Sequence, residues 1–164
     1  MSATDAEGFA RRSEAPEETE GWGERLAAAL ELGDVVLLHG ALGSGKTCFV
    51  TGLARGLGVR GRVRSPSFGL IHEMHGRVLL AHVDLYRLDE READRLGLED
   101  LRERSVLVVE WGERLPSPWQ QDALSIQFRM RGPMQRELTA HGRGPRGRTL
   151  LEAWRALDAS ARNA

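Results

Sequence analysis

The residues with the clearest chemistry form the run GALGSGKT, from Gly40 to Thr47, which fits the phosphate-binding pattern G-x-x-x-x-G-K-[ST]. In such a loop, backbone N–H groups converge on phosphate oxygens, the lysine reaches the terminal phosphates, and the final hydroxyl binds Mg²⁺. Lys46 is the single lysine among 23 basic residues. A planar guanidinium would not fit over the loop as an ammonium does, which supports a functional loop. The pattern predicts a site for a Mg-bound nucleoside triphosphate.

A phosphate loop must follow a strand and begin a helix, and both neighbours are present. The apolar run over 34–38 predicts a buried parallel strand, and apolar residues recur at helical spacing from Thr47 to Gly58. The remaining pattern predicts a helix over 17–32, a hairpin of 67–74 and 77–83, a helical stretch over 89–102, strands over 105–109, 122–130 and 135–141, a flexible loop over 142–147 and a helix over 149–158. We therefore predict an α/β, P-loop NTPase-like three-layer fold with a mixed parallel and antiparallel central sheet.

Length and composition favour one small domain. The chain has 164 residues, of which 41% are hydrophobic, enough for a single core. We expect a disordered leader over 1–15, which lacks periodicity, and one domain over 16–160. No stretch approaches the roughly 18 uninterrupted apolar residues of a membrane helix, and the first residues are acidic and polar, so we expect a cytoplasmic protein without membrane contact.

Two carboxylates stand directly after apolar runs. Asp84 follows the run 78–83, and Glu110 follows the run 106–109. In phosphate-loop enzymes a strand-end acid holds Mg²⁺ directly or through water, and another polar group orients the attacking water. The pattern alone leaves open which acid has which role. Arg87, close behind Asp84, either stabilises the transferring phosphoryl group or, as we favour, pairs with Asp89 or Glu90.

The chain resembles a known family through an ordered set of motifs. These are GALGSGKT, SPSF at 65–68, HVDLYRL at 82–88, LGLEDL at 96–101 and VVEWGERLP at 108–116. Over about residues 17–155 the sequence resembles TsaE, the bacterial ATPase of tRNA threonylcarbamoyladenosine biosynthesis. The resemblance implies Mg-dependent ATP hydrolysis, slow alone and stimulated by partners. It also implies work alongside TsaD and TsaB, which install threonylcarbamoyl on tRNA, with indirect tRNA contact.

The resemblance also implies roles for single residues. It assigns Asp84 to the attacking water, and Thr47 with Glu110 to Mg²⁺. The remaining expected nucleotide contacts are the phosphate ligands Gly43, Ser44, Gly45, Lys46 and Thr47, the switch-like Ser67 near the γ-phosphate, and Trp111 as a wall beside the nucleotide.

The chain departs from the family pattern at a few positions. The family usually has an acid in place of Ala41 and threonine in place of Ser67 and Cys48, so Ala41 supplies no carboxylate. The adenine pocket is expected around residues 13–19.

Three other functions compete with this interpretation of the sequence. A guanine-specific switch would need an [NT]-K-x-D loop, which a chain with one committed lysine does not have. A small-molecule P-loop kinase would need an arginine-bearing lid, for which the 142–148 segment has the arginines. A nucleotide-dependent binding module with little turnover would use ATP to order segment 65–70 for a partner. The last two remain as alternatives.

Overall fold

The computed structural model describes residues 8–63 and 70–164. Its strands are β1 (Phe9–Ser13), β2 (Val35–His39), β3 (Ile71–His75), β4 (Leu79–Asp84), β5 (Val106–Glu110), β6 (Ala123–Met130) and β7 (Arg136–Arg143). Its helices are α1 (Pro16–Ala27), α2 (Lys46–Gly56), α3 (Glu90–Asp94), α4 (Leu98–Glu103) and α5 (Gly144–Arg162). Two 3₁₀ turns follow β5, at Gly112–Arg114 and Ser117–Gln120.

The strands form a mixed sheet in the order β1-β7-β6-β2-β5-β4-β3. The four neighbouring strands β6, β2, β5 and β4 are parallel, a pairing that cannot be made by a tight hairpin turn. The outer pairs β1–β7, β7–β6 and β3–β4 are antiparallel. The predicted mixed sheet is confirmed, and so is the predicted hairpin except at residues 67–69, which lie outside the described residues.

Helices cover both faces of the sheet, which confirms the three-layer fold. Apolar residues of α1, α2 and α5 pack on one face, and those of α3 and α4 pack on the other. The central strands β2 and β5 are apolar nearly throughout because both of their faces are buried. Among the described residues, no helix is long and apolar enough to cross a membrane.

The parallel strands bring the predicted site residues to one edge of the sheet. In the β4–β5 pair, Asp84 lies directly opposite Glu110, and Leu38 of β2 lies opposite Glu110 on its other side. The loop that begins at Gly40 leaves β2 at the same edge. The carboxyl ends of β2, β4 and β5 therefore converge where α2 begins.

The predicted leader is wrong for residues 9–13, which form β1. This strand pairs with β7, from Phe9 opposite Ala140 to Ser13 opposite Arg136. Phe9 is 3% exposed, and its ring centroid lies 5.0 Å from that of Trp154. One buried aromatic anchors a short polar edge strand, which has no periodicity that a sequence pattern could detect. The domain boundaries themselves stay a prediction.

Three predicted boundaries also differ. α1 ends at Ala27, where the Arg77 guanidinium donates to the carbonyls of Ala27 and Leu30. The stretch 89–102 contains two short helices, because Gly97 adopts a left-handed conformation (φ +68°) between them. The Gly-rich segment 142–147 is not a flexible loop: β7 continues to Arg143, and α5 begins at once with Pro145 in its first turn.

Candidate functional site

The phosphate loop connects the end of β2 to the first turn of α2. Gly45 stands immediately before the helix with φ +106°, a conformation that favours glycine. At Gly40, a Cβ would lie 2.7 Å from the Ser44 Oγ, so a larger residue would crowd the loop. The first N–H groups of a helix have no intrahelical acceptor and carry partial positive charge. The loop is therefore shaped to receive an anion.

The Ser44 hydroxyl gives an independent indication of a ligand. Ser44 is 2% exposed, and its Oγ has no hydrogen-bond partner within the described parts of the chain. A buried polar group without a partner is destabilising and needs an explanation. A phosphate oxygen in the loop would supply a partner, so the residues present fit the predicted nucleotide.

Lys46 is buried within the loop, at 5% exposure. Its ammonium donates to the carbonyls of Gly40 and Ala41, at 3.3 Å for the latter, and lies 4.6 Å from the centroid of the Trp111 ring. Burial lowers the pKa of Lys46, and the negative charges of Glu110, Asp84 and Glu113 oppose that shift. The lysine thus lies among three carboxylates while its own charge is poorly solvated.

The two strand-end carboxylates have different surroundings. Glu110 is 4% exposed, and its Oε2 lies 2.8 Å from Nε2 of the fully buried His82. Asp84 is half-buried, and its Oδ1 accepts a hydrogen bond of 2.9 Å from the Tyr86 N–H. The buried carboxylate is oriented by a side chain within the sheet, whereas the other lies near the surface at the start of the next loop.

Trp111 forms a wall beside the lysine. Its backbone has φ +61°, an uncommon conformation for a bulky residue, and its N–H donates to the Leu38 carbonyl at 3.0 Å. The Tyr86 ring lies 5.1 Å away between centroids, and the Arg114 guanidinium lies 5.7 Å from the Trp111 centroid. Strain of this kind persists where neighbouring contacts enforce it, and it concentrates at functional sites.

Two residues that contact this region, His39 and Arg136, were not predicted from the sequence. The His39 ring, at the end of β2, bridges Glu113 and Ser125, with Nδ1 and Nε2 each 2.7 Å from an oxygen. This ties the turn after Trp111 to the strand before the loop. The Arg136 guanidinium, from β7, donates to the Gly43 carbonyl at 3.1 Å. His39 could have been noted as the residue before the loop, but nothing in the sequence connects Arg136 with Gly43.

The structure brings most of the predicted residues together. Lys46, Asp84, Glu110 and Trp111 meet at one edge of the sheet, and Gly43, Ser44, Gly45 and Thr47 belong to the adjoining loop and helix. Ser67 lies outside the described residues. The roles of all these site residues stay predictions.

Two further residues lie at the margins of the site. Arg87 forms no ion pair with Asp89 or Glu90 within the described ranges, so the favoured pairing is wrong; Asp89 instead caps α3. Cys48 packs against the start of α1, with Sγ 3.2 Å from the Pro16 carbonyl. Burial raises the pKa of the Cys48 thiol, and nearby Glu20 adds to that shift.

The family model and the similar curated proteins both point to one family. The family model described as "Threonylcarbamoyl adenosine biosynthesis protein TsaE" matches residues 13–138. A TsaE protein of Treponema pallidum is 42% identical over 77% of this chain and 96% of its own length. A TsaE protein of Bacillus subtilis is 39% identical over 84% of this chain and 87% of its own. The crystal structure of Bacillus subtilis YdiB covers 96% of this chain and 99% of its own, with a TM-score of 0.80 and 34% identity.

Proposed function

Because the chain belongs to the TsaE family of tRNA threonylcarbamoyladenosine biosynthesis, we propose that it is a Mg-dependent P-loop ATPase of that pathway. ATP binding and hydrolysis are coupled to the TsaB–TsaD complex that transfers the threonylcarbamoyl group. Turnover is slow alone and rises with these partners, the partners contact the tRNA, and the work takes place in the cytoplasm. The observation that carries the proposal is the buried Lys46 in an intact phosphate loop, facing Glu110 and Asp84.

The loop residues bind the triphosphate. The N–H groups of Gly43, Ser44 and Gly45, with the first turn of α2, donate to phosphate oxygens, and the Ser44 hydroxyl gains the partner that it lacks without ligand. Lys46 exchanges its bonds to the Gly40 and Ala41 carbonyls for bonds to phosphate. Negative phosphates also relieve the poor solvation of its ammonium, so binding favours the charged lysine.

Thr47 and Glu110 hold Mg²⁺ through their oxygens, the ligand type that this ion prefers. Bound there, Mg²⁺ would supply positive charge that offsets the negative charge of the phosphates. Glu110 suits this role because it is buried and oriented, so little side-chain freedom is lost on binding. Trp111 forms the wall beside the phosphates, and Ser67 is the proposed switch residue near the γ-phosphate.

Asp84 orients the attacking water. Its Oδ1 is held by the Tyr86 N–H at 2.9 Å, which fixes the carboxylate at the end of β4. A carboxylate in this position accepts a hydrogen bond from water and aims the water oxygen at the terminal phosphate. Being more exposed than Glu110, it lies where solvent enters.

The test is Mg-ATP hydrolysis by the pure protein, measured alone and with TsaB and TsaD added. We expect slow phosphate release alone and a clear rise with both partners. The Lys46→Ala variant should lose both nucleotide binding and turnover while its circular dichroism spectrum stays that of the parent protein. Normal ATPase activity in this folded variant would contradict the assigned site.

Other outcomes distinguish the remaining functions. Transfer of phosphate to an added small acceptor, independent of the partners, would indicate a P-loop kinase. Tight ATP binding that promotes assembly with TsaB and TsaD, without turnover in the complex, would indicate a nucleotide-dependent binding module. Loss of hydrolysis in Asp84→Asn with retained Mg-ATP binding would support the water-orienting role.

A further inference from the structure

We infer that His82 is a positioning residue that orients Glu110 toward the metal. The inference rests on the proposed function, because it gives Glu110 the role of metal ligand. His82 does not contact the nucleotide in this proposal. It acts through a single hydrogen bond from its Nε2 to the Glu110 Oε2, at 2.8 Å.

The register of the sheet explains how the two side chains meet. In the parallel β4–β5 pair, His82 lies opposite Val108, and Asp84 lies opposite Glu110. His82 and Glu110 are therefore diagonal neighbours on one face of the sheet, at a separation that a long side chain can bridge. Because side chains alternate between faces, His82, Asp84 and Glu110 all share the face covered by α2.

Burial argues that the pair serves more than packing. Both side chains are buried, at 0% and 5% exposure. Within the described parts of the chain, the other ring nitrogen of His82, Nδ1, has no hydrogen-bond partner. A buried histidine with one nitrogen unpaired is a poor choice for stability, and a buried polar pair can often be replaced by apolar residues without loss. The position would be better filled by an aliphatic residue if packing were its task.

The bond also restricts the geometry of Glu110. A carboxylate accepts, so Nε2 must carry the proton that is donated to Oε2. This leaves the second oxygen of Glu110 free of this bond and sets the rotation of the carboxylate. Groups that orient a metal ligand in this way commonly contribute about 10- to 100-fold to metal affinity. His82 thereby preorganises Glu110 before Mg²⁺ arrives.

The test separates the metal-dependent part of nucleotide binding from the rest. ADP affinity is measured by calorimetry with Mg²⁺ and with EDTA, and the ratio of the two dissociation constants is compared among variants. His82→Phe keeps a ring without a nitrogen, and His82→Gln keeps an N–H donor of similar reach. Glu110→Ala and the double variant complete the cycle, and His72→Phe, opposite His82 in β3, is the matched control.

We expect His82→Phe to reduce the Mg²⁺ contribution to ADP affinity about tenfold. Affinity in EDTA should stay unchanged, His82→Gln should recover most of the loss, and His72→Phe should match the parent protein. Adding His82→Phe to Glu110→Ala should cause no further reduction. If His82→Phe does not fold, His82→Leu takes its place.

Two results would overturn the inference. One is a parental Mg²⁺ contribution in a folded His82→Phe or His82→Leu variant; the other is an equal weakening with Mg²⁺ and with EDTA, which indicates a structural role. If Glu110→Ala itself keeps the parental Mg²⁺ contribution, the proposed metal assignment fails, and the inference fails with it. The Glu110→Ala measurement therefore distinguishes the two failures.

Discussion

At the scale of single residues, Lys46 combines burial with a charge that its surroundings disfavour. Burial lowers its pKa, although three carboxylates attract the ammonium. The folded-state pKa of Lys46 lies below the unfolded value of 10.5, so between these two pKa values the unfolded chain binds more protons than the folded chain. The stability of the folded protein therefore rises with pH in this range. Below this range, at neutral pH, the charged lysine therefore destabilises the folded protein when no nucleotide is bound. It becomes favourable when phosphates are bound.

This balance predicts the behaviour of two substitutions. Lys46→Met, which removes the charge, should abolish Mg-ATP binding and leave the melting temperature of the free protein equal to the parent's or higher. Lys46→Arg keeps the charge but not the shape, so it should also lose binding and should melt at a lower temperature. Differential scanning fluorimetry with and without Mg-ATP measures both effects. A melting temperature of Lys46→Met well below that of Lys46→Arg would contradict the argument.

Residues of the site differ in how far the sequence could identify them. The loop residues and both strand-end acids follow from local patterns, because a phosphate loop has fixed spacing and parallel strands end at a common edge. His82 stands two residues before Asp84, so the alternation of side chains along a strand places both on one face of the sheet. The sequence therefore contained enough information to predict His82 near the site. Arg136 is different: its contact with Gly43 spans 93 positions and depends on how the β6–β7 hairpin lies against the loop.

At the scale of elements, close packing of two helices positions the phosphate loop. α1 and α2 approach each other through glycines: a Cβ at Gly52 would overlap the Glu20 carbonyl, and a Cβ at Gly23 would lie 2.8 Å from the Leu53 nitrogen. The side of α2 that contains Gly52 is thus held against α1 at backbone distance. This close packing fixes the position of α2, and with it the first turn of the helix, which contains Lys46 and Thr47.

Gly52→Ala should therefore destabilise the protein by about 1–3 kcal/mol, the usual effect of overpacking a close contact. The matched control is Gly21→Ala in α1, where the nearest atom to a new Cβ is the flexible end of Arg25, at 3.2 Å. That change should be neutral or stabilising by up to about 1 kcal/mol, because alanine favours helix. Urea denaturation measures both. Equal losses in the two variants would show that the glycines matter through propensity and not through helix contact.

The elements themselves were predictable in proportion to their burial. β2 and β5 are apolar on both faces and were found from short hydrophobic runs. β1 was missed because its sequence, FARRS, buries one aromatic ring and a serine at an edge of the sheet. At the start of α5 the sequence predicts a loop, because glycine and proline usually mark loops. Here Gly144, at φ +71°, makes a sharp junction from strand to helix.

Phe9→Ala tests the role of β1 as a strand of the sheet. The ring is 3% exposed and packs on Trp154, so its loss should destabilise the protein by about 3–5 kcal/mol. Ala10→Ser, on the exposed side of the same strand, should have little effect. Chemical denaturation gives the free energies of unfolding. A loss below about 0.5 kcal/mol for Phe9→Ala would mean that β1 is dispensable, as the predicted leader would be.

At the scale of the whole molecule, Asp158 joins elements that are distant in the chain. It lies in α5 at 1% exposure and forms ion pairs with Arg11 of β1 at 2.7 Å, Arg25 of α1 at 3.2 Å and Arg162 of α5 at 3.1 Å. Burial favours the neutral acid, but the Arg11 hydrogen bond and the three guanidinium charges outweigh it and lower the pKa of Asp158. These ion pairs therefore link β1 and α5 to α1, the helix that packs on α2.

Replacement of this carboxylate should loosen the molecule far from the nucleotide site. Asp158→Asn leaves three arginines around a neutral amide and should destabilise the protein by about 2–4 kcal/mol at pH 7, near the range for breaking a buried ion pair. Lys46-dependent Mg-ATP binding should persist below the unfolding temperature. Glu137→Gln is the control, because Glu137 also pairs with two arginines, Arg12 and Arg131, but its own side chain is 17% exposed, against 1% for Asp158. Equal losses in both variants would contradict a special role for Asp158.

The pH dependence provides a stricter test because its sign is fixed. Asp158 has a folded-state pKa below its ordinary value of 3.8, so its contribution is fully present well above pH 3.8 and is lost as pH falls through the folded-state pKa. The difference in unfolding free energy between the parent protein and Asp158→Asn should therefore stay constant from pH 7 to about pH 5 and shrink below pH 4. Urea denaturation at a series of pH values measures this difference. A gap that stays constant down to pH 2 would show that the carboxylate charge does not hold β1, α1 and α5 together.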